Sequence, residues 1–414
     1  MKRILTISFA LLLLMSVSSF ATNTRVLTMG DNNTILLDEA NIWQFPSRIN
    51  DYPNLAIAEF ADAGGSEFKD FGIHWRFNQD YPWVLGTYFH NSDVIYPMSS
   101  PFRSYYPFPF GYNPEFVPFD APLMSNQRID LFYGRKLGVQ QVPFGFRFSL
   151  VNSSWKSDIP DNQDEEGFSI YDFAFGLTVG GGMTDLAAGV MFMTWTDHGT
   201  NPADSTAYDE TKPKGNYLLY GSARHFWQVT PTYTVVPHAD LYVGKNEAEY
   251  YALVAGQAEL QQSDTYNWFG FEVGTGLQYA PSNDAMAVID FGFQYQKLDG
   301  DFDNAATGLV EASSKTLTIP FFRAGADLKV FNWMDARFGA TSYWDRNTLE
   351  ADLPDDFTMN YANNETYLGF GFHWGNLHVD TYTDPEVFLN GFDFLTGQSS
   401  SDFNFRLSAL YEIM

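Results

Sequence analysis

Two short motifs carry residue types that could do acid–base chemistry: His238-x-Asp240 and His378-x-Asp380. In an extended strand, residues i and i+2 share a face, so each motif sets an imidazole beside a carboxylate, as a general base and its orienting partner require. No serine, second carboxylate or metal cluster can be placed beside either pair from sequence, so ordinary interior lining is the expectation. No catalytic residue, cofactor or metal is expected. The run Asp299-Gly300-Asp301-Phe302-Asp303-Asn304 begins like a calcium loop. Its sixth position is Asn304 and its twelfth Val310, where glycine and glutamate are required, so an EF-hand is excluded. The acidic run Asp158 to Glu166 reads as a solvated loop.

Two larger constellations remain. From Asn91 to Asn126 the chain is dense in aromatics and prolines, with Tyr105, Tyr106, Phe108, Phe110 and Tyr112 at its centre. So many rings facing water would be costly. They form either a capture site for a hydrophobic solute or a self-packed lid, and the two are compatible. The prolines lower the cost of ordering the segment. The second constellation is a set of charges of both signs on the inward face: Arg76, Arg128, Asp130, Lys136, Arg147, Asp172, Glu272, Asp290, Arg323, Asp327, Lys329, Asp335, Arg337, Asp380 and Arg406. They could make a field across a pore that selects solutes. The plainer expectation is that they pair with one another and hold an interior together.

The elements that must position these groups are strands. In Phe71-Gly72-Ile73-His74-Trp75-Arg76-Phe77-Asn78, odd positions are apolar and even positions are glycine or polar. The same alternation runs through Phe144 to Leu150, Tyr171 to Val179 and Ile289 to Gln296. Alternation means an extended strand with two unlike faces. Here the apolar face is rich in Phe and Tyr, and the other face is rich in glycine and charge. A soluble barrel would put its apolar side chains inside, so this pattern favours lipid outside.

Sixteen candidate strands follow, near 54–61, 70–78, 83–90, 127–137, 142–153, 168–180, 184–196, 215–229, 231–244, 265–279, 284–297, 314–330, 333–345, 365–374, 377–383 and 402–413. The first and fifteenth are the faintest, which makes fourteen the alternative. Gaps after even strands are short and gaps after odd strands long. An up-and-down antiparallel barrel with both termini periplasmic has that form. Trp83, Trp155, Trp195, Trp227, Trp268, Trp333, Trp344 and Trp374 fall near predicted strand ends, where amphipathic rings meet headgroups. In the twelfth strand the apolar phase slips beside Pro320, which predicts a bulge there.

Lys2 and Arg3 precede an apolar run, and Ser19-Phe20-Ala21 fits a cleavage site, so residues 1–21 read as a secretory signal peptide cut after Ala21. There is no cysteine, which excludes disulfides. No later apolar run reaches the roughly 20 residues of a spanning helix. A membrane protein without such helices must be a closed barrel. Removing the signal leaves 21 basic against 50 acidic residues, a formal charge of −29. That argues against nucleic acid as a partner. It suits a bacterial outer-membrane protein whose acidic loops meet divalent cations and anionic lipid.

Residues 22–53 precede the barrel (54–414) and do not alternate. They include Met29-Gly30, then Leu36-Leu37-Asp38-Glu39-Ala40-Asn41-Ile42-Trp43-Gln44-Phe45-Pro46. This resembles the mature N-terminus of the long-chain fatty-acid transporter (FadL-like) family of outer-membrane barrels, in which a Met-Gly pair and an acidic stretch precede an Asn-aromatic-Asn-Pro-Ala segment. Phe45 stands where that family has Asn, and Ser47 where it has Ala. The resemblance implies that Met29, Gly30, Asn41, Trp43, Phe45 and Pro46 belong to a plug folded inside the barrel. A periplasmic tail packed on the rim is the other possibility. The final strand, ending Phe403-x-Phe405-x-Leu407-x-Ala409-x-Tyr411-x-Ile413 before Met414, looks like the signal read by barrel-assembly machinery, though such strands usually end in Phe.

The expectation is a non-enzymatic outer-membrane channel or transporter that passes an unidentified small molecule, hydrophobic ones included, by diffusion. The alternative is a structural or partner-binding barrel with a closed lumen.

Overall fold

A computed structural model describes residues 22–63, 66–77, 83–92, 126–156, 165–200, 208–254, 257–304, 308–351, 357–383 and 405–413. Strands run as β1 (Leu55–Ala63), β2 (Ser66–Phe77), β3 (Trp83–Ser92), β4 (Asn126–Leu137), β5 (Val142–Lys156), β6 (Glu165–Val179) and β7 (Thr184–Thr200). Strand β8 comes in three pieces, Tyr208–Pro213, Tyr217–His225 and Trp227–Thr230, of which the first two lie between β7 and β9 and the last pairs with β9. Then follow β9 (Tyr233–Val254), β10 (Gln257–Ser282), β11 (Ala285–Asn304), β12 (Gly308–Phe331), β13 (Met334–Ala351), β14 (Phe357–Trp374), β15 (Leu377–Thr383) and β16 (Phe405–Glu412). Each pairs antiparallel with its chain neighbour. Strand β1 also pairs with β16, Leu55 standing opposite His74 on one side and Glu412 on the other, so the sheet closes. The barrel therefore has sixteen strands and not fourteen: both faint strands are present.

The two faces sort as the alternation requires. In β2 Asp70, Gly72 and His74 are buried, while Phe71 and Trp75 are 50% and 45% exposed. Ile289, Phe291 and Phe293 are likewise exposed on β11 while Asp290 is fully buried. A sheet that buries its charges and shows phenylalanine to the outside suits hydrocarbon on its outer wall. Near one end, Phe331, Trp333, Phe372 and Trp374 stack in series with ring centroids 5.5, 6.1 and 5.7 Å apart.

The slip in β12 is a bulge. Gly292 faces Phe321 and Gln294 faces Thr318, so Ile319 and Pro320 together oppose one residue of β11. Strand β13 shows the same shift between Thr318 and Phe321. The bulge turns Phe321 inward, fully buried, and puts Phe322 and Leu328 outside.

Three expectations are corrected. Strands β9 to β12 run 22, 26, 20 and 24 residues, so much of what read as long loops is strand. Beyond the apolar belt neither face needs to be apolar, and alternation disappears while pairing continues. The Asp299–Asn304 run is accordingly part of β11. Trp268 lies within β10, buried with Tyr242 and Leu298, and takes no part in an interfacial belt. Trp344 lies within β13, although it still faces outward.

Residues 22–53 lie against the inner wall. They form helix α1 (Asn23–Thr28) and two 3-10 turns, Glu39–Ile42 and Pro46–Asp51. Met29, Ile35 and Leu36 pack on Phe226, Val236 and Val288, and Ile42, Trp43 and Ile49 pack on Val84, Tyr88 and Phe132. The core is thus the seam between this segment and the strands around it.

Candidate functional site in the barrel interior

Glycines on the inward face let two backbones meet. Gly30 adopts φ +77°, and a Cβ there would collide with the Ala324 carbonyl oxygen. Opposite it, Gly325, Gly339 and Gly369 receive Met29, Gly30 and Thr28, while Gly145 and Gly176 receive Pro46 and Ser47. Side chains at these five wall positions would push the segment away.

Local sequence sets the segment's turns. Thr22 caps α1 by accepting from the Arg25 amide at 3.3 Å, and its hydroxyl donates to Asp380 at 2.9 Å. Asp38 and Asn41 form a capping box: the Ala40 amide donates to Asp38 at 3.2 Å and the Asp38 amide to Asn41 at 2.9 Å. Pro46 opens the next turn, where its missing N–H costs nothing.

Guanidinium groups then tie segment to wall. Arg25 reaches Asp327 at 3.0 Å and Asp38 at 3.1 Å. Arg337 shares Asp327 at 3.2 Å and pairs with Asp380. Arg48 lies 2.9 Å from Asp185, which Arg224 also holds at 2.8 Å. Arg224 donates further to the carbonyls of Thr34 and Leu36 and to the Asn41 side chain, at 2.8–2.9 Å, and lies 4.4 Å from the centre of the Phe45 ring. Arg147 pairs with Asp172 and donates to the Trp43 carbonyl. Trp43 sits edge-on to Tyr88 and Phe132 at 4.8 and 4.9 Å, with Arg128 over its ring at 5.2 Å.

Burial pushes the Asp38 carboxyl up to about 6, Arg25 opposing the shift. Burial also pushes Glu39 well above the usual carboxylate range, against the pull of its bond from the Tyr88 hydroxyl and with the help of Glu59.

Of the interior charges read from sequence, Arg128 and Asp130 pair at 2.7 Å. Arg323 spans Glu272, at 3.1 Å, and Asp290, at 3.3 Å. Asp335 meets His373 at 2.6 Å and Arg337 at 3.6 Å. Arg76 is exposed at the rim, its amide donating to Asn54 at 2.9 Å, and stands apart from this network. Met29, Gly30, Asn41, Trp43, Phe45 and Pro46 are all buried together. Tyr105, Tyr106, Phe108, Phe110 and Tyr112 lie outside the described residues. Arg25, Arg48, Asp38, Glu39, Asp185 and Arg224 were not singled out from sequence. The signal was available for two of them: Arg25 and Arg48 are the only basic residues of a 32-residue stretch in an acidic chain. His90, 2.7 Å from both Asp70 and Asp130, was also missed.

Register supplies what sequence could not beside His238-x-Asp240. Asp240 stands directly opposite Glu272, and His238 opposite Gly274. His378-x-Asp380 separates: Asp380 joins Arg337, while His378 Nδ1 lies 2.7 Å from His373 Nδ1.

No protein-family model and no curated protein matches the chain. Among solved structures, it is similar to the Pseudomonas putida toluene transporter TodX, at 8% identity over 95% of this chain and 98% of that one, with a TM-score of 0.41. The CymD monoaromatic hydrocarbon channel gives 9%, 95%, 99% and 0.39, and the ferric yersiniabactin uptake receptor FyuA of Yersinia pestis 8%, 87%, 81% and 0.36. Likenesses of this size say nothing about what this chain handles.

Proposed function

We propose that this is an outer-membrane barrel closed from within by residues 22–53, which act as a plug and gate the diffusion of a small molecule, hydrophobic ones included. The observation that carries the reading is the two-ended construction of the segment. It fits the wall closely through glycines, yet it is held largely by polar groups: Arg25, Arg48, Arg147 and Arg224 with their carboxylates and carbonyls. Breaking a buried pair outright costs about 3–5 kcal/mol, a cost that a shift avoids where each freed group finds another partner or water. Such a contact can shift without unfolding the barrel. The aromatic belt supports a place in lipid, and Tyr105, Tyr106, Phe108, Phe110 and Tyr112 are proposed to collect solute outside. Strand β16, which closes the barrel against β1, is proposed as the signal read by barrel-assembly machinery.

A second reading, a structural or partner-binding barrel with a permanently closed lumen, is favoured by the pairing of most of the interior charges. Planar-bilayer recording and liposome uptake on the purified barrel separate the two. The gated channel predicts rare openings that become frequent when the segment is loosened. No conductance and no uptake of any probe, before or after loosening, would overturn it.

A further inference from the structure

We infer that His238, Asp240 and Glu272 form a binding site for a divalent first-row cation, with Zn²⁺ the best fit, on the inner wall of β9 and β10. One ligand atom from each of the three buried residues lies within 4.8 Å of the others. That is close enough for small side-chain adjustments to set one ion about 2.0–2.2 Å from each. Two of the three residues carry unused acceptors: among the described residues His238 Nδ1 and Asp240 Oδ2 have no hydrogen-bond partner, and both side chains are more than nine-tenths buried. A buried polar atom left unpaired is costly, so it calls for a partner, either water or an ion.

The surroundings fit a metal more closely than they fit water. His238 Nε2 lies 2.9 Å from Asp290 Oδ1. A proton donated from Nε2 to that carboxylate fixes the tautomer and leaves the Nδ1 lone pair free, the arrangement by which metal-bound histidines are oriented. Gly274 makes room for the ring, since a Cβ there would sit 2.5 Å from Nε2. Asp240 Oδ1 accepts from Gln44 Nε2 at 3.1 Å, and the Glu272 oxygens accept from Arg323 at 3.1 and 3.2 Å. Both carboxylates are therefore held in place with a lone pair to spare. Charge points the same way. Asp240, Glu272 and Asp290 face one guanidinium, Arg323, because Arg224, opposite His238, is committed to Asp185 and the N-terminal segment. With His238 neutral the cluster is two charges short of balance, which one divalent cation supplies. A nitrogen donor selects zinc-like ions over calcium or magnesium, which take oxygen. Through Asp240 and Gln44, the ion would brace the wall where residues 22–53 dock.

The test uses the full chain, purified folded in detergent, stripped with chelator, reloaded with Zn²⁺ and desalted. Folding is confirmed for every variant by its heat-modifiable gel mobility. Wild type is expected to keep about one equivalent by elemental mass spectrometry, and His238→Gln and Asp240→Asn to keep almost none. Asp290→Asn should bind roughly 10–100-fold more weakly, as loss of an orienting partner does. Co²⁺ loading of wild type should give a visible band that Asp240→Asn lacks. Wild type retaining no more Zn²⁺ than Asp240→Asn, whether both are empty or both loaded, overturns the site.

Discussion

Replacing Arg224 with alanine should free the N-terminal segment without unfolding the barrel wall. Arg224 is fully enclosed and makes its closest segment contacts to Thr34, Leu36 and Asn41, besides its pair with Asp185. Each charge-assisted bond is worth about 1.5–3 kcal/mol, and such bonds at one group do not add. Removing one partner of a buried pair costs about 3–5 kcal/mol. Asp185 keeps Arg48 at 2.9 Å, so its charge is not stranded and the lower figure applies. About 3 kcal/mol corresponds to roughly a 10²-fold fall in the docked population. Amide hydrogen exchange over residues 32–44 reads this directly and should accelerate by about that factor. Exchange in β10 to β13 should stay put, since their ladders do not pass through Arg224. Arg224→Lys should fall between, because an ammonium cannot reach carbonyls and carboxylate with a planar fork. Exchange of residues 32–44 within twofold of wild type in Arg224→Ala would refute the claim that polar anchors hold the segment.

Gly30→Ala should weaken docking by at least the ~1–3 kcal/mol cost of a non-glycine residue at positive φ, since the added Cβ also meets the Ala324 carbonyl; protease cutting within 22–53 of a normally folded barrel checks it. Docking should tighten in mild acid. Asp38 and Glu39 have folded values raised by burial, so the folded state binds more protons, and the stability they lend is complete below about 4 and lost as pH rises through about 6 for Asp38 and higher for Glu39. Exchange protection of the segment, corrected for intrinsic rates, should therefore be greater at pH 5 than at pH 8, and Asp38→Asn should remove part of the difference. Phe291→Lys, on the outer face of β11, should lower barrel stability in bilayers by about 2–4 kcal/mol if the site is mid-membrane, measured by urea titration, and leave segment exchange unchanged.

The wall was legible in the sequence because lipid imposes a rule on every second residue. That rule gave the parity of Phe71 through Phe77, the inward set from Arg128 to Arg337, and the bulge at Pro320. It failed where lipid ends. Strands β9 to β12 continue past the belt with polar residues on both faces, and Trp268 was misplaced for that reason. The interior was legible only as a list. Which charge meets which depends on register, and register decides that Asp240 faces Glu272 and that Arg323 spans two acids. Inward glycine looked like mere filling, whereas Gly145 and Gly325 are contact points for another backbone. Arg224 lay on the inward parity of the eighth strand, but nothing local marks it as the anchor of a segment 190 residues earlier.

The most direct test of the gate is a lock. The chain has no cysteine, and the hydroxyls of Ser47 on the segment and Thr178 on the wall are 2.8 Å apart. Planar-bilayer recording of the Ser47→Cys, Thr178→Cys barrel, oxidised and then reduced, compares a pinned segment with a free one in the same molecule. The account predicts openings that vanish on oxidation and return with reductant. Equal conductance in the two states would contradict it.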